Sequence, residues 1–246
     1  MYQDIEEIGQ VRLAKREVSS VADAGVPDYL SRHYWWAYIH PWAVKFFDRQ
    51  WIINLILLGN YKRLRDAALA EFSEPSSCSI LQMACAYGDL TIRLAKRLAA
   101  GKGRLDIVDV LPIQLKNLKW KLPGRSPVRL LLMDAADLKL PDASYDWVLL
   151  FFLLHEQPAS HRAKTLCEAA RVVKPGGKIL IVDFARPRLW NPLFYLWRPL
   201  LALLEPFALD LWRNEVSEWL PARAREGLRK ASFFGGLYQK IVIERR

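Results

Sequence analysis

Cysteine is scarce in this chain of 246 residues: Cys78, Cys85 and Cys167 are the whole set. An odd number without metal-ligand spacing indicates neither a disulfide framework nor a zinc site, and it fits a reducing, cytoplasmic setting. Negative charge is also short. Asp and Glu number 26 against 36 Lys and Arg, a formal net charge of +10. That balance predicts attraction to polyanions, either nucleic acid or the anionic face of a bilayer. A long uninterrupted apolar run is lacking as well. The most apolar stretch, Leu189 to Trp212, contains Arg198, Glu205 and Asp210, and Pro192, Pro199 and Pro206 recur within it. A spanning helix needs about twenty mostly uncharged residues, so this stretch reads as broken helical pieces lying on a surface. Met1 to Ala24 is polar and charged, without the basic tip and apolar core of a secretory signal.

What the chain does have is apolar bulk and tryptophan. With 52% hydrophobic residues it can bury one sizeable core. Trp35, Trp36, Trp42 and Trp51 lie before the central segment, and Trp190, Trp197, Trp212 and Trp219 after it. Indoles suit a membrane interface, and equally the core of a lid.

Three regions differ in composition. Residues 1–75 read as a helical, aromatic-rich N-terminal cap, closed by the polar turn cluster from Ser73 to Ser79 around Pro75. From Ile80 to Phe184, apolar runs at Ile80–Met83, Arg104–Val108, Val128–Met133, Trp147–Leu153 and Lys178–Val182 alternate with helical stretches such as Leu90–Leu98. This alternation predicts an α/β fold with a doubly wound, mostly parallel, Rossmann-like sheet. Residues 76–246 would form that domain, with an apolar, membrane-facing insertion at about 186–232 and a final strand at Lys240–Ile243. Within the insertion, Arg223, Arg225, Arg229 and Lys230 form a basic, helix-like stretch. It suits anionic lipid headgroups or the solvated face of a lid.

The candidate chemistry gathers at strand ends. The run from Ile80 to Leu90 resembles a nucleotide-binding first strand and turn, but Ala84 and Ala86 stand where glycines are usual and only Gly88 remains. The second strand ends in Asp109, placed to accept hydrogen bonds from ribose hydroxyls; Asp106 is a weaker candidate. The third ends in Met133, Asp134 and Ala135, where a carboxylate can receive an adenine amine. His155 and Glu156 follow the fourth strand and offer a base or oxygen and nitrogen ligands for a hard divalent ion. In the cap, His40, Asp48 and Tyr61 are further candidates for substrate or cofactor contact. His33 and His161 read as surface residues.

The stretch from Ile80 to Pro187, with Ala84-Cys85, Gly88-Asp89-Leu90 and Phe184-Ala185-Arg186-Pro187, resembles the class I S-adenosylmethionine (SAM)-dependent methyltransferases. The resemblance is nearest to the ubiquinone and menaquinone C-methyltransferase group. The flanks, Tyr38 to Pro41, Phe47-Asp48-Arg49, Leu58 to Tyr61 and Asp210 to Glu215, are similar to the rhodoquinone-biosynthesis (RquA) family. These resemblances imply SAM bound by Gln82, Ala84, Tyr87, Gly88, Asp109, Asp134, Ala135 and Phe151, with His155, Glu156, Gln82 and Tyr61 at the reacting atoms. They imply conversion of ubiquinone to rhodoquinone, with SAM as amino donor and a divalent metal such as manganese assisting, at the inner face of the cytoplasmic membrane. The neutral amide of Gln82, where relatives carry an acid, would ease loss of a proton from the SAM amine. Ordinary C- or O-methylation of a quinone or phenol is the alternative, and a non-catalytic SAM-binding, membrane-docking protein a third. Nucleic acid is not expected as a partner, because the basic residues accompany a Trp-rich apolar flank rather than a polar groove.

Overall fold

The alternation of short apolar runs with amphipathic stretches is realised as one seven-stranded sheet with helices on both faces. The computed structural model describes residues 26–34, 37–38, 40–72, 77–124, 126–205 and 207–246. Expectations resting on Met1 to Ala24, Trp35, Trp36, Pro75, Pro206 and the side chains of Trp197 and Arg223 lie outside the described residues.

In the cap, α1 (Asp28–His33), α2 (Pro41–Phe47), α3 (Gln50–Ile56) and α4 (Tyr61–Leu69) precede the sheet. There follow β1 (Ser79–Met83), α5 (Leu90–Ala99), β2 (Arg104–Asp109), α6 (Pro112–Lys121), β3 (Val128–Leu132) and β4 (Tyr145–Phe151). The chain continues through α7 (Ala159–Val172), β5 (Val173–Phe184), α8 (Leu193–Leu204), α9 (Asp210–Arg213), β6 (Leu228–Phe233) and β7 (Tyr238–Glu244). Strand order is β3-β2-β1-β4-β5-β7-β6. Strands β1 to β5 are parallel, β7 is antiparallel to β5, and β6 is antiparallel to β7. Strand direction matches the crossovers that the helical stretches require.

Alternate residues of the buried strands feed two apolar clusters. Ile80, Leu105, Leu149 and Leu180 pack with Leu64, Ala68, Leu94 and Leu98 of α4 and α5. Leu81, Val108, Val148 and Ile181 pack on the other side with Leu166, Ala169 and Val172 of α7. Burial of Leu90, Leu94 and Leu98 along α5 shows why that segment is helical: its apolar residues recur at four-residue spacing. The cap shares the first cluster, through Ile53, Leu57 and Tyr61.

The C-terminal region departs from expectation in two places. The stretch Leu189 to Trp212 is broken as expected, but α8 runs straight through Pro199. Pro199 is exposed, so the one intrahelical bond it removes opens toward the outside and the helix continues. The basic stretch is not a helix where it reaches Arg229 and Lys230, since these belong to β6, zipped to β7. Lys230 pairs with Glu215 at 2.5 Å and Arg225 donates to the Leu220 carbonyl at 3.1 Å. Among the described residues, no helix is long and apolar enough to cross a membrane.

One joint ties cap to sheet. Gly88, in the turn after β1, has φ +87°, and a β-carbon there would stand 2.3 Å from the Tyr61 hydroxyl. That hydroxyl accepts the Asp89 and Leu90 amides at 2.8 and 3.1 Å, capping the start of α5. Asp48 accepts the Gly88 amide at 2.8 Å. Tyr61→Phe strands two amide donors and should lower stability by about 1–3 kcal/mol. Gly88→Ala should cost more, because left-handed strain adds to overlap with Tyr61. Urea unfolding measures both; an unchanged midpoint in either variant would contradict the assignment of this joint.

Candidate functional site

Two adjoining cavities lie past the carboxyl ends of the parallel strands, where a doubly wound sheet leaves its crevice. The larger, about 430 Å³, is walled by apolar groups that include Phe47, Ile53, Leu57, Phe151, Phe184 and Leu201. Its polar groups are few: Tyr38, His155, Glu156 and Glu205 stand out. The smaller, about 60 Å³, is bounded by Tyr29, Leu30 and Gln114 together with Ala84, Asp109, Asp134 and Ala135. Tyr38, Cys85, Phe151, Phe152 and Glu156 wall both, so the two form one continuous crevice.

Asp109 ends β2 and is buried. Its carboxylate accepts the Cys85 amide at 2.8 Å and the Leu111 amide at 2.9 Å, yet burial pushes its pKa up to about 6. Each oxygen keeps a second lone pair for a ligand hydroxyl. Asp134, after β3, accepts the Ala136 amide at 2.8 Å and faces His161 Nε2 at 3.0 Å. Burial works against its charge, but the His161 imidazole, the Ala136 amide and the nearby Lys164 together hold the carboxyl below its usual range. His161 is therefore not a free surface residue as expected. It sits on α7 against the Tyr29 ring, with centroids 5.0 Å apart, because the end of β3 and the start of α7 meet there.

Gln82 is fully buried and lines neither cavity. Its amide nitrogen donates to the Ala84 carbonyl at 2.9 Å and its oxygen accepts from the Thr91 hydroxyl at 3.0 Å. A carboxylate could not make the first bond. Ala84 itself is left-handed, φ +69°, where glycine would be free of strain. Tyr87 lines the larger cavity, donates to the Ala37 carbonyl at 2.9 Å, and accepts from Gln114 at 2.9 Å. Tyr61 also reaches that cavity, though its hydroxyl is spent on the turn. Asp48 joins the same turn and pairs with Lys121 at 2.7 Å. His40 caps α2 by accepting the Trp42 amide and lines neither cavity, and His33 is exposed against the Phe207 ring.

His155 and Glu156 share a single 3-10 turn after β4. Arg162, fully buried, fixes that turn by donating to the Leu154 and Gln157 carbonyls, each at 2.9 Å. His155 Nδ1 lies 2.9 Å from Asp183 Oδ1, and its Nε2 lies 3.8 Å from Glu156 Oε1. The Tyr38 hydroxyl donates to that same glutamate oxygen. Asp183 ends β5 with no exposure and also accepts the Leu154 and Phe184 amides. Burial would drive a proton off His155. Asp183 outweighs this, helped by Glu205 and Glu156, and the imidazole pKa rises to about 9. Burial raises Glu156 to about 8 against the pull of His155, with Glu205 adding to the rise. Glu205 is raised as well, chiefly by burial.

The structure thus brings Ala84, Asp109, Asp134, Ala135, Phe151 and Glu156 around one cavity, and places Tyr61, Tyr87, Phe151, His155 and Glu156 on its neighbour. Gln82 and Gly88 shape the turn between them without lining either cavity. Sequence reasoning missed Asp183, Tyr38 as an active group, and Glu205. Asp183 carries the strand-end signal used for Asp109. Glu205 was visible only as a charge interrupting an apolar run. The divalent metal expected from the resemblance finds no ready-made site: no three His, Cys, Asp or Glu side chains among the described residues are arranged to hold an ion.

Comparison with known proteins gives a consistent relationship. Residues 80–177 match a family model described as a methyltransferase domain. A demethylmenaquinone methyltransferase of Bacillus licheniformis is 29% identical over 178 residues, covering 70% of this chain and 74% of that protein. A ubiquinone/menaquinone biosynthesis C-methyltransferase of Cupriavidus taiwanensis is 28% identical over 174 residues, covering 70% and 65%. Among solved structures, an O-methyltransferase family protein of Burkholderia thailandensis shares the fold with TM-score 0.59 and 18% identity, covering 79% of this chain and 58% of that one. A SAM-dependent methyltransferase of Aquifex aeolicus aligns with TM-score 0.51 and 20% identity over 84% and 99% of the two chains.

The His155–Asp183 pair makes a titration testable. Because its folded pKa stands above the unfolded value of 6.5, the stability it contributes is full below pH 6.5 and is lost as pH rises through about 9. In an NMR titration His155 should remain protonated well above neutrality. In Asp183→Asn, with burial no longer opposed by that charge, its pKa should fall below the usual histidine range. A wild-type His155 that titrates below pH 7 would overturn the pairing.

Proposed function

We propose that this chain, a class I SAM-dependent methyltransferase homologous to quinone C-methyltransferases, methylates a lipophilic quinol or phenol. The observation that carries this is an apolar, aromatic-walled cavity with one buried imidazole and carboxylate group, adjoining the crevice at Asp109 and Asp134. An aromatic ring with one or two hydroxyls matches such a wall better than a charged or extended polar substrate does.

The smaller cavity's donor and acceptor set fits SAM. Asp109 offers lone pairs suited to a ribose diol, and Asp134 with Ala135 offers a place for the adenine edge. Tyr38 and Phe151, which wall both cavities, would separate nucleoside from ring. When bound there, SAM supplies an electrophilic methyl group on a sulfonium. The protein's part is to exclude water, hold the acceptor ring against the aromatic walls, and remove a proton from a ring hydroxyl or carbon. Glu156, reinforced by His155 and oriented by Tyr38, is the group for that removal.

Amination of ubiquinone to rhodoquinone, implied by the flank resemblance, finds no support in the relatives, whose names describe methyltransferases. Parallel incubations of SAM with a demethylated quinol and with ubiquinone, followed by mass spectrometry, separate the two. Methyl transfer adds the mass of one methylene; amination of ubiquinone exchanges a methoxy group for an amine. Product of the second kind alone would overturn the proposal.

Two further outcomes follow from the protonation of the site. The carboxyl of Asp109 accepts from the diol most strongly when ionised, so SAM affinity should fall as pH drops below about 6. Asp109→Asn should weaken SAM binding by about 1.5–3 kcal/mol and flatten that dependence, read by calorimetry. At neutral pH the His155–Glu156 pair still holds both protons, and raising pH through about 8 frees the base. The rate of methyl transfer should therefore climb with pH, about tenfold per unit, up to a limb near pH 8. Glu156→Gln should remove that limb and slow turnover about a hundredfold. An unshifted profile in this variant would remove Glu156 from the role.

A further inference from the structure

The large cavity is flanked by two exposed, apolar and cationic elements. On the cap, Trp42 of α2 and Trp51 and Leu55 of α3 stand 60 to 67% exposed, beside Ile56, which also lines the cavity. Around α8, Trp190 before it and Tyr195 and Leu196 in its first turn are 64 to 71% exposed, and Leu201 of the same helix lines the same cavity. Ile53, Leu57 and Leu201 share one apolar cluster, so both elements pack on the same face of the sheet. Large apolar side chains held in water on two elements that line one cavity call for an occupant.

Charge says which. Lys45, Arg49, Lys62 and Arg63 are exposed on the cap, and Arg186, Arg188 and Arg198 are exposed on and before α8. Across residues 40–63 and 186–204 the only acid is Asp48, whose side chain is 10% exposed and paired with Lys121. Tryptophan and tyrosine on segments whose exposed charges are all cationic is the chemistry of an interface with anionic lipid.

We infer that α2–α3 and the start of α8 form a two-armed docking surface for an anionic bilayer, which sets the mouth of the large cavity against the membrane. This surface differs from the one expected from sequence. The headgroup contacts come from the cap and from Arg186 to Arg198, while Arg225 and Lys230 bond within the fold. A lipophilic ring then passes from the acyl region into the cavity between Ile56 and Leu201 without crossing water. That route rests on the apolar-ring substrate proposed above, whereas vesicle binding does not, so the two fail separately.

The test uses the full chain with vesicles of phosphatidylcholine, alone or mixed with phosphatidylglycerol, in a cosedimentation titration. Wild type should bind the mixed vesicles and release partly in high salt. Trp42→Ser/Trp51→Ser/Leu55→Ser should weaken partitioning about tenfold or more, and so should Trp190→Ser/Tyr195→Ser/Leu196→Ser. Lys45→Glu/Arg49→Glu/Arg198→Glu should weaken it about a hundredfold at low salt. Lys164→Glu, on α7 across the sheet, should change nothing. All substituted residues are exposed, so circular dichroism and thermal unfolding should stay as in wild type. With a short-chain, water-soluble quinol the arm variants should keep the wild-type rate, and with a long-chain quinol in mixed vesicles they should lose it. Arm variants that bind mixed vesicles as wild type does would overturn the inference. So would a wild-type chain that ignores both vesicles but forms a dimer which the same variants dissociate, because the occupant would then be a second copy.

Discussion

The phenol of Tyr61 lies where a side chain at position 88 would have to stand, and much of the molecule depends on that contact. Glycine alone fits there, in a left-handed conformation, and the turn it makes turns its amides outward. Tyr61 and Asp48 accept those amides, and Arg65, almost wholly buried, pairs with Asp89 at 2.9 Å beside them. Three residues of the cap therefore complete the start of α5. A buried guanidinium is costly unless paired, so Arg65 holds the cap in one register against the turn. Since Phe47, Ile53 and Leu57 of the cap wall the large cavity, the shape of the site follows from the same joint.

The walls also set the electrostatics. In an aromatic, water-poor cavity an isolated imidazole would be neutral and an isolated carboxylate protonated. Asp183 reverses the first tendency: its carboxyl, which also accepts two backbone amides, lies against the imidazole and raises its pKa. Nothing comparable supports Glu156, whose partners are a phenol and an imidazole at 3.8 Å. The two neighbours thus titrate late and together, and the group that first gives up its proton is the one facing both cavities. A base that is neutral until substrate and pH call on it is less costly to bury than a permanent carboxylate.

The sheet was legible because its signal is local. Apolar runs of five to seven residues, such as Ser79–Met83 and Tyr145–Phe151, are strands wherever they are buried on both faces; Asp109 ends β2 as expected, and Asp134 lies two residues past the end of β3. β6 was not legible. Leu228–Phe233 is mostly exposed and basic, and its extended form comes from pairing with β7 rather than from its own pattern. Glu205 and Tyr38 were hidden for a similar reason. Each is an ordinary residue in its own segment, and only the approach of α8 and the cap to the end of β4 makes them neighbours of His155. His161 was misjudged because a polar helix start gives no sign of a carboxylate waiting beneath it.

The exchanges in the turn after β1 are best understood as one coupled change. An alanine in the left-handed region at position 84 costs about 1–2 kcal/mol relative to glycine. The Gln82 amide offsets part of this by donating to the Ala84 carbonyl, while Thr91 on α5 satisfies its oxygen. An acid at position 82 would set two acceptors against each other in a buried place, which is strongly unfavourable. The amide at 82 is thus accounted for by the bonds it makes within the turn and to α5. It needs no change of reaction to explain it, and a methyltransferase with an ordinary acceptor ring is compatible with every bond that Gln82 makes.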